Sequence, residues 1–489
     1  MSKNIAPALP RMRLVVSAIA FGLMSAVALA QDTSSSVTGR VLDGEGAPVA
    51  GAVVEILHTP SGTRKLVTTD ENGRYSSRGL RVGGGFVVSV SKDGMDAAKQ
   101  DDVELRLGET GTVNLIMGDA DVLGEVVVTA ARVSDVFDST KMGAATNVTR
   151  DQIEALPSIN RSIEDYVRLD PRLVQVDKDR GGISAAGQNN RYNNITIDGV
   201  SSNDEFGLND SGFPSLGNPI SIDAIEELNI NVAGYDVSQS DSTGANINAV
   251  TKSGTNEFKG TVYGVYRKNN WVGDGETNTN FTGFNDEKTY GFTVGGPILQ
   301  DRLFFFLAYE EFERSAPAPV VNRRLVGGVS TQFVSDADLA AIAARAQVLG
   351  FTVGQSNLTA LSTTDEKLIA KIDWNISDQH RASIRYGRTP GQTQRTPNIG
   401  NASVSTADHW FFDNVVNKNL TGQLYSDWTD SFSTELSLSR NDYSSIPQNA
   451  SFTPQVTVRV NNGVDQVVFG TEFSRQANVL ESNTTVGFL

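Results

Sequence analysis

Few residues in this 489-residue chain have the types and spacing needed to make or break bonds. It has no cysteine, which removes thiolate nucleophiles, disulfides and thiolate metal sites. The histidines, His58, His380 and His409, lie far apart, and His58 is followed by Thr59, Pro60 and Ser61, with no second ligand at helical spacing. Each reads as an ordinary polar residue, so no catalytic constellation, metal site or cofactor is expected. Two stretches could instead do non-covalent chemistry. In residues 124–132, GEVVVTAAR, three β-branched valines want an extended backbone, while Asp119, Asp121, Ser134, Asp135 and Asp138 isolate the run. A strand without a sheet can satisfy its backbone groups on the edge of another protein's sheet; the alternative is an edge strand of a neighbouring domain. The second stretch is Asn203, Asp204, Glu205, Asn209 and Asp210, which offers oxygen ligands to a hard cation or a hydroxyl-rich ligand, with a solvated acidic loop as the alternative.

The length calls for two to four domains. A net charge of −16 repels nucleic acid and anionic lipid surfaces, so no nucleic-acid partner is expected. Mean hydropathy of −0.22 argues against helical membrane spans. It is compatible with a membrane β-barrel, whose strands need only one apolar face.

Several elements could position these stretches. Arg11 and Arg13 precede an apolar run at 14–29 that ends Ala28-Leu29-Ala30, the pattern of a secretory signal peptide (1–30) cut between Ala30 and Gln31. Over residues 35–118, short alternating segments separated by turns, with turn chemistry at Asp70 to Gly73, predict a small β-sandwich. After a linker that holds the valine run (123–132), residues 135–255 read as mixed α/β. Thr149 and Gln152 have capping-box spacing before a helix ended by Pro157, and Ile163, Tyr166 and Val167 share one face of a second helix from Asn160. Asp198-Gly199 reads as a turn, with a short helix over 222–228 and strands around Ile230 and Ile247.

From Phe258 the hydrophobic period becomes two. Leu368, Ala370, Ile372 and Trp374 alternate with Ile369, Lys371, Asp373 and Asn375, and similar hairpins follow. A soluble sheet with a wet side also alternates. Residues 258–268 and 303–312, however, are near membrane-spanning length for a tilted strand. Aromatics (Tyr263, Tyr266, Trp271, Tyr309, Phe312, Trp374, Trp410, Phe411, Phe412, Trp428) sit towards strand ends, as in interfacial girdles. Short connections (295–301, 377–380, 429–431) alternate with long ones (269–287, 314–366, 388–409), as between the two sides of an outer-membrane barrel.

With these residues in hand, the chain resembles a TonB-dependent outer-membrane receptor of the Oar-like subgroup. GRVLDGEGAPVAGAVVEI and TTDENGRY resemble a carboxypeptidase regulatory-like domain, and EVVVTA resembles the TonB box. LPSINRSIEDYVRLDPR, GGISAAGQNNRYNNITIDGV and INAVTKSGTNEFKGTVYGVYR resemble the plug, and GGPILQDRLFFFLAYE a periplasmic turn with its following strand. The resemblance implies a mainly β fold: an N-terminal β-sandwich, a mixed α/β plug at 135–255, and the first part of a transmembrane antiparallel β-barrel at 256–489. Such barrels have about 22 strands, and the seven or eight legible here would need roughly 400 more residues to close, so a fragment is expected. It also implies a Gram-negative outer-membrane location with a periplasmic N-terminal domain. The expected function is import of a bulky, scarce extracellular ligand. Its expected partners are outer-membrane lipid and the periplasmic domain of TonB, engaged through Glu125, Val126, Val127, Val128, Thr129 and Ala130. The alternative is a surface structural or adhesion protein on the same scaffold; a secreted hydrolase has no constellation to support it.

Overall fold

The computed structural model describes residues 33–118, 144–177, 181–207, 209, 211–232, 243–273, 281–326, 328–356, 358–429, 432–472 and 479–488. The expected cleavage site, the run from Glu125 to Ala130 and Asp210 lie outside them.

The N-terminal strands are β1 (Ser35–Asp43), β2 (Val53–His58), β3 (Thr63–Thr68), β4 (Arg74–Leu80), β5 (Gly83–Ser91), β6 (Ala98–Leu105), β7 (Thr110–Thr112) and β8 (Leu115–Met117). They form two sheets, β4-β1-β7 with β8 also on β1, and β3-β2-β5-β6. Inward-facing Val37, Val41, Val54, Ile56, Phe86 and Val88 make a core drawn only from this domain. A side chain at Gly39 would meet the Val113 carbonyl oxygen at 1.7 Å, so only glycine lets these strands close on each other. The predicted turn at Asp70 forms, its carboxylate accepting the Asn72 and Arg74 amides at 2.8 Å each.

The middle region holds β9 (Ala144–Val148), α1 (Arg150–Ala155), α2 (Ile163–Val167), β10 (Leu173–Asp177), β11 (Gly182–Ala185), β12 (Asn194–Ile197), β13 (Val200–Ser201), β14 (Ile225–Val232) and β15 (Ala245–Thr251). The capping box opens α1, with the Thr149 amide donating to Gln152 Oε1 at 3.1 Å. Ile163, Tyr166 and Val167 are buried on α2 as predicted. The predicted helix at 222–228 is instead a single 3-10 turn, Ile222–Ala224, running into β14. Ile222, Ile225 and Leu228 are spaced by three, which resembles a helix face, while Leu228, Ile230 and Val232 carry the period of two that the strand follows. The sheet order is β13-β12-β15-β14-β9, with β12 parallel to β15.

The last region pairs β16 (Lys259–Lys268), β17 (Asp286–Leu299), β18 (Leu303–Pro317), β21 (Ala360–Asn375), β22 (His380–Arg395), β24 (Phe411–Thr429), β25 (Phe432–Asn449) and β28 (Leu480–Phe488) in that order. All neighbours are antiparallel, and β16 and β28 are the two ends of an unclosed wall. The face assignment holds: Ile372 and Ile384 are 37% and 55% exposed, whereas Lys371 and Arg385 are 8% and 3% exposed against the middle domain. The middle domain is therefore a plug. Its core includes Phe306, Ala308 and Ile369 of the wall, which explains why β18 is apolar on both faces.

The long connections are shorter than predicted, because β18, β21 and β22 extend beyond the expected strand limits. The remaining loops fold into a cap: a hairpin of β19 (Arg323–Val326) and β20 (Val329–Gln332), α3 (Asp336–Val348), and a sheet of β23 (Ser403–Ser405), β27 (Asp465–Phe469) and β26 (Val456–Val460). Trp410, predicted in an aromatic girdle, is 1% exposed in the cap's core with Val321, Phe333, Val404 and Val467. Phe411 is buried too, and Tyr263 turns its hydroxyl towards the plug. Girdle positions are kept by Tyr266, Trp271, Trp374 and Trp428, all exposed.

Candidate functional site

The seam between plug and wall is where the structure concentrates its buried charge. Asp198 and Gly199, with φ of 49° and 73°, form the tight turn between β12 and β13. That turn aims the Asp198 carboxylate at the wall, where Oδ2 lies 2.8 Å from Arg385 Nε. Thr251 supports the same carboxylate through its amide and hydroxyl, at 2.8 Å each. Strand register places Lys371 beside Arg385, and Lys371 Nζ donates to Thr251 Oγ1 at 3.1 Å. Gln423 of β24 donates to the Asp198 carbonyl at 3.2 Å. Three successive wall strands thus grip one turn of the plug. Support from Lys371, Arg385 and Thr251 outweighs the opposing effect of burial and holds the Asp198 carboxyl below its ordinary range.

A second grip lies around Glu310 of β18. It accepts from Lys367 Nζ at 2.5 Å, from the Tyr263 hydroxyl at 2.8 Å and from plug Ser221 Oγ at 3.1 Å. Arg161 of the plug stacks 4.0 Å from the Tyr263 ring centre and pairs with Asp223. Both grips combine shared apolar burial with close pairing of opposite charges. Such a seam resists opening, because separation would strand charges in poorly hydrated surroundings.

The proposed ligand residues sit on a plug loop beside β25 and β28, with the Phe206 and Tyr443 ring centres 5.6 Å apart. Asn203 Oδ1 accepts the Ile195 amide at 2.8 Å, and Asp204 accepts the Phe206 and Asn209 amides at 3.1 and 2.6 Å. Asn209 Nδ2 donates to the Phe213 carbonyl at 2.9 Å. These three shape the loop, while exposed Glu205 reaches β28, accepting from Ser482 and from Thr484 Oγ1 at 2.9 Å. The residues are thus adjacent but not convergent on one point. Among the described residues no group of three metal-ligating side chains is found.

The histidines also have structural surroundings. His58 Nδ1 lies 2.7 Å from Ser61 Oγ, and burial, then the charges of Arg81 and Arg381, push its pKa down to about 3, keeping it neutral. His409 is fully buried between the Gly470 carbonyl and Asn398, at 2.8 Å each. Next to it, Asp408 accepts the amides of Gly354 and Gly470 at 2.8 Å each, tying three cap loops together. Sequence reasoning missed both Arg385 and Glu310. The available signal was a charged residue placed mid-strand on the face opposite the lipid-facing set.

Residues 36–118 match the carboxypeptidase regulatory-like domain family, and residues 250–327 match an outer membrane beta barrel domain family. The TonB-dependent transporter Oar of Myxococcus xanthus is 30% identical over 396 residues, which cover 77% of this chain and 35% of that protein. The chain therefore spans about a third of the length of this curated relative. Among solved structures, the outer membrane transporter YddB from Escherichia coli matches with a TM-score of 0.48 and 13% identity, over 70% of this chain and 44% of that one. The ferric enterobactin receptor PfeA from Pseudomonas aeruginosa matches with a TM-score of 0.44 and 12% identity, over 70% and 46%. All three are described as transporters or receptors rather than enzymes. From the sequence match to Oar and the two domain matches, the chain belongs to the TonB-dependent outer-membrane receptors, as an Oar-like member residing in the outer membrane of a Gram-negative bacterium.

Proposed function

We propose that the protein imports a bulky, scarce extracellular ligand through its plugged barrel, without bond chemistry, using energy delivered by TonB at Glu125 to Ala130. The observation that carries this reading is the seam. A plug that shares a core with the wall and is held by Asp198–Arg385 at 2.8 Å will not open by thermal motion at a useful rate, so transport needs external work. Strand addition at the valine run gives a partner a backbone handle just before the plug in sequence. Ligand capture is assigned to the cap and to the plug surface around Asn203, Asp204, Glu205, Asn209 and Asp210.

The test has two stages. Growth of a deletion strain on defined iron, carbon and nitrogen sources identifies the nutrient class. Uptake of that nutrient is then followed with and without an uncoupler of the inner membrane. Energised import predicts that entry stops while surface binding survives. Equal entry under both conditions would instead favour a surface structural or adhesion role, for which the folded cap would serve as the binding face.

A further inference from the structure

The plug is held against the middle of the wall strands and the N-terminal domain against their short-turn end, and the two are held in different ways. The plug's core is continuous with wall residues Phe306, Ala308 and Ile369, whereas the N-terminal core contains no residue of plug or wall. The N-terminal domain docks mainly through polar groups, with Arg81 also lying 5.8 Å from the Phe304 ring centre. Lys65 Nζ pairs with Asp427 of the wall rim at 2.6 Å, and Arg64 with Asp378 at 3.0 Å. Arg81 stands 3.7 Å from Asp373 and donates to Asn375 at 3.2 Å. On the plug side, the Leu107 amide donates to Glu227 at 3.2 Å. The Arg81–Asp373 pair is as buried as Asp198–Arg385, but undocking returns both groups to water instead of stranding them between plug and wall, and a domain with a complete core of its own can move as a unit.

What the domain covers is a chamber of about 460 Å³. One side is made by His58, Pro60 and Arg81 of the N-terminal domain, and the others by Thr251 of the plug and by Lys371 and Ser383 of the wall. The chamber abuts the Asp198–Arg385 grip through Asp198 itself, so material passing the seam on this side enters it. We propose that the N-terminal domain is a detachable gate over this chamber, closing the periplasmic exit of the seam when docked and opening it by rigid-body release. The assignment of an exit rests on the import reading above; the closure itself rests on the contacts.

These 489 residues hold no cysteine, and any thiol elsewhere in the full-length protein is first replaced by serine. Ser383, buried in the chamber wall, is replaced as Ser383→Cys in the full-length protein in outer-membrane vesicles, and its labelling by a small charged methanethiosulfonate reagent is timed. Arg64→Glu with Lys65→Glu sets like charges against Asp378 and Asp427. It is expected to speed labelling at least tenfold. Adding Asp378→Arg and Asp427→Lys restores opposite charges and should return the slow rate. Equal rates in the parent and the reversed variant would overturn the gate. So would a four-fold variant that stays fast, since the reversal would then have acted by disrupting the domain rather than its docking. Because labelling uses neither a ligand nor an energy source, it is read independently of uptake, and failed import with normal gating would count against the import reading alone.

Discussion

Asp198 on a plug turn and Arg385 in the middle of a wall strand form a buried ion pair, their side chains 5% and 4% exposed. Asp198 is the charge that compensates Arg385, whereas Asp198 itself is also supported by Lys371 and by two hydrogen bonds from Thr251. Arg385→Met is expected to cost about 3–5 kcal/mol, and Asp198→Asn, which leaves Arg385 and Lys371 side by side without their carboxylate, at least as much. Thermal melting of the full-length protein in detergent, read together with protease sensitivity of the plug, checks both. An Arg385→Met protein as stable as the parent would mean that the plug is held by its apolar core alone.

The wall faces give a second contrast. Ile372 points away from the plug, so Ile372→Arg places a charge towards lipid and should cost ~2–4 kcal/mol near the midplane. A lumen-facing Lys371 would be tolerant if it lined open water, but its ammonium is buried on Thr251. Lys371→Met is therefore also expected to destabilise, by loosening the plug rather than the wall. Denaturant melts that report barrel and plug separately distinguish the two effects.

Glu227 links plug and N-terminal domain through the Leu107 amide and is expected to make docking pH-dependent. Burial, with Glu104 and Glu109 opposing ionisation and Arg106 and the Leu107 amide favouring it, raises its carboxyl from an ordinary 4.5 to about 8. The docked form thus holds a proton that the undocked form releases near 4.5. Docking is strongest below that value and weakens as pH rises towards 8. Glu227→Gln keeps an acceptor for Leu107 without the titration and should flatten the profile. A pH series of Ser383→Cys labelling in both backgrounds measures this; identical slopes would remove Glu227 from the effect.

Trp410 anchors the cap, with its indole donating to Ser405 Oγ at 3.1 Å. Trp410→Ala should cost the cap about 3–5 kcal/mol. Limited proteolysis is then expected to cut within 318–359 and 396–410 while the strands remain protected. Cleavage spread through the wall would show that cap and wall fold as one unit.

Much of the fold was legible because its signals are local. Period-two alternation set the wall faces, the Asp70 and Asp198-Gly199 turns follow from side-chain chemistry and positive φ, and the Thr149 box opened its helix. What escaped was non-local. The cap joins Val321, Phe333, Trp410 and Val467, residues too far apart in sequence to share a periodic pattern, so Trp410 read as one more aromatic near a strand end. The seam escaped for a related reason. Lys371 and Arg385 look like any wet-face cations until the register sets them side by side opposite Asp198. The β14 segment misled because Ile222, Ile225 and Leu228 are spaced as on a helix face across its start.

The central claim is that Glu125 to Ala130 couples this receptor to TonB by strand addition, and binding of the TonB carboxy-terminal domain to the full-length protein tests it most directly. Val127→Pro removes one backbone donor and fixes φ, whereas Val127→Thr keeps both the donor and the β-branched side chain. The expected result is loss of TonB pull-down and of uptake for Val127→Pro, near-parental behaviour for Val127→Thr, and unchanged melting for both. A proline variant that still binds TonB and imports normally would contradict the account.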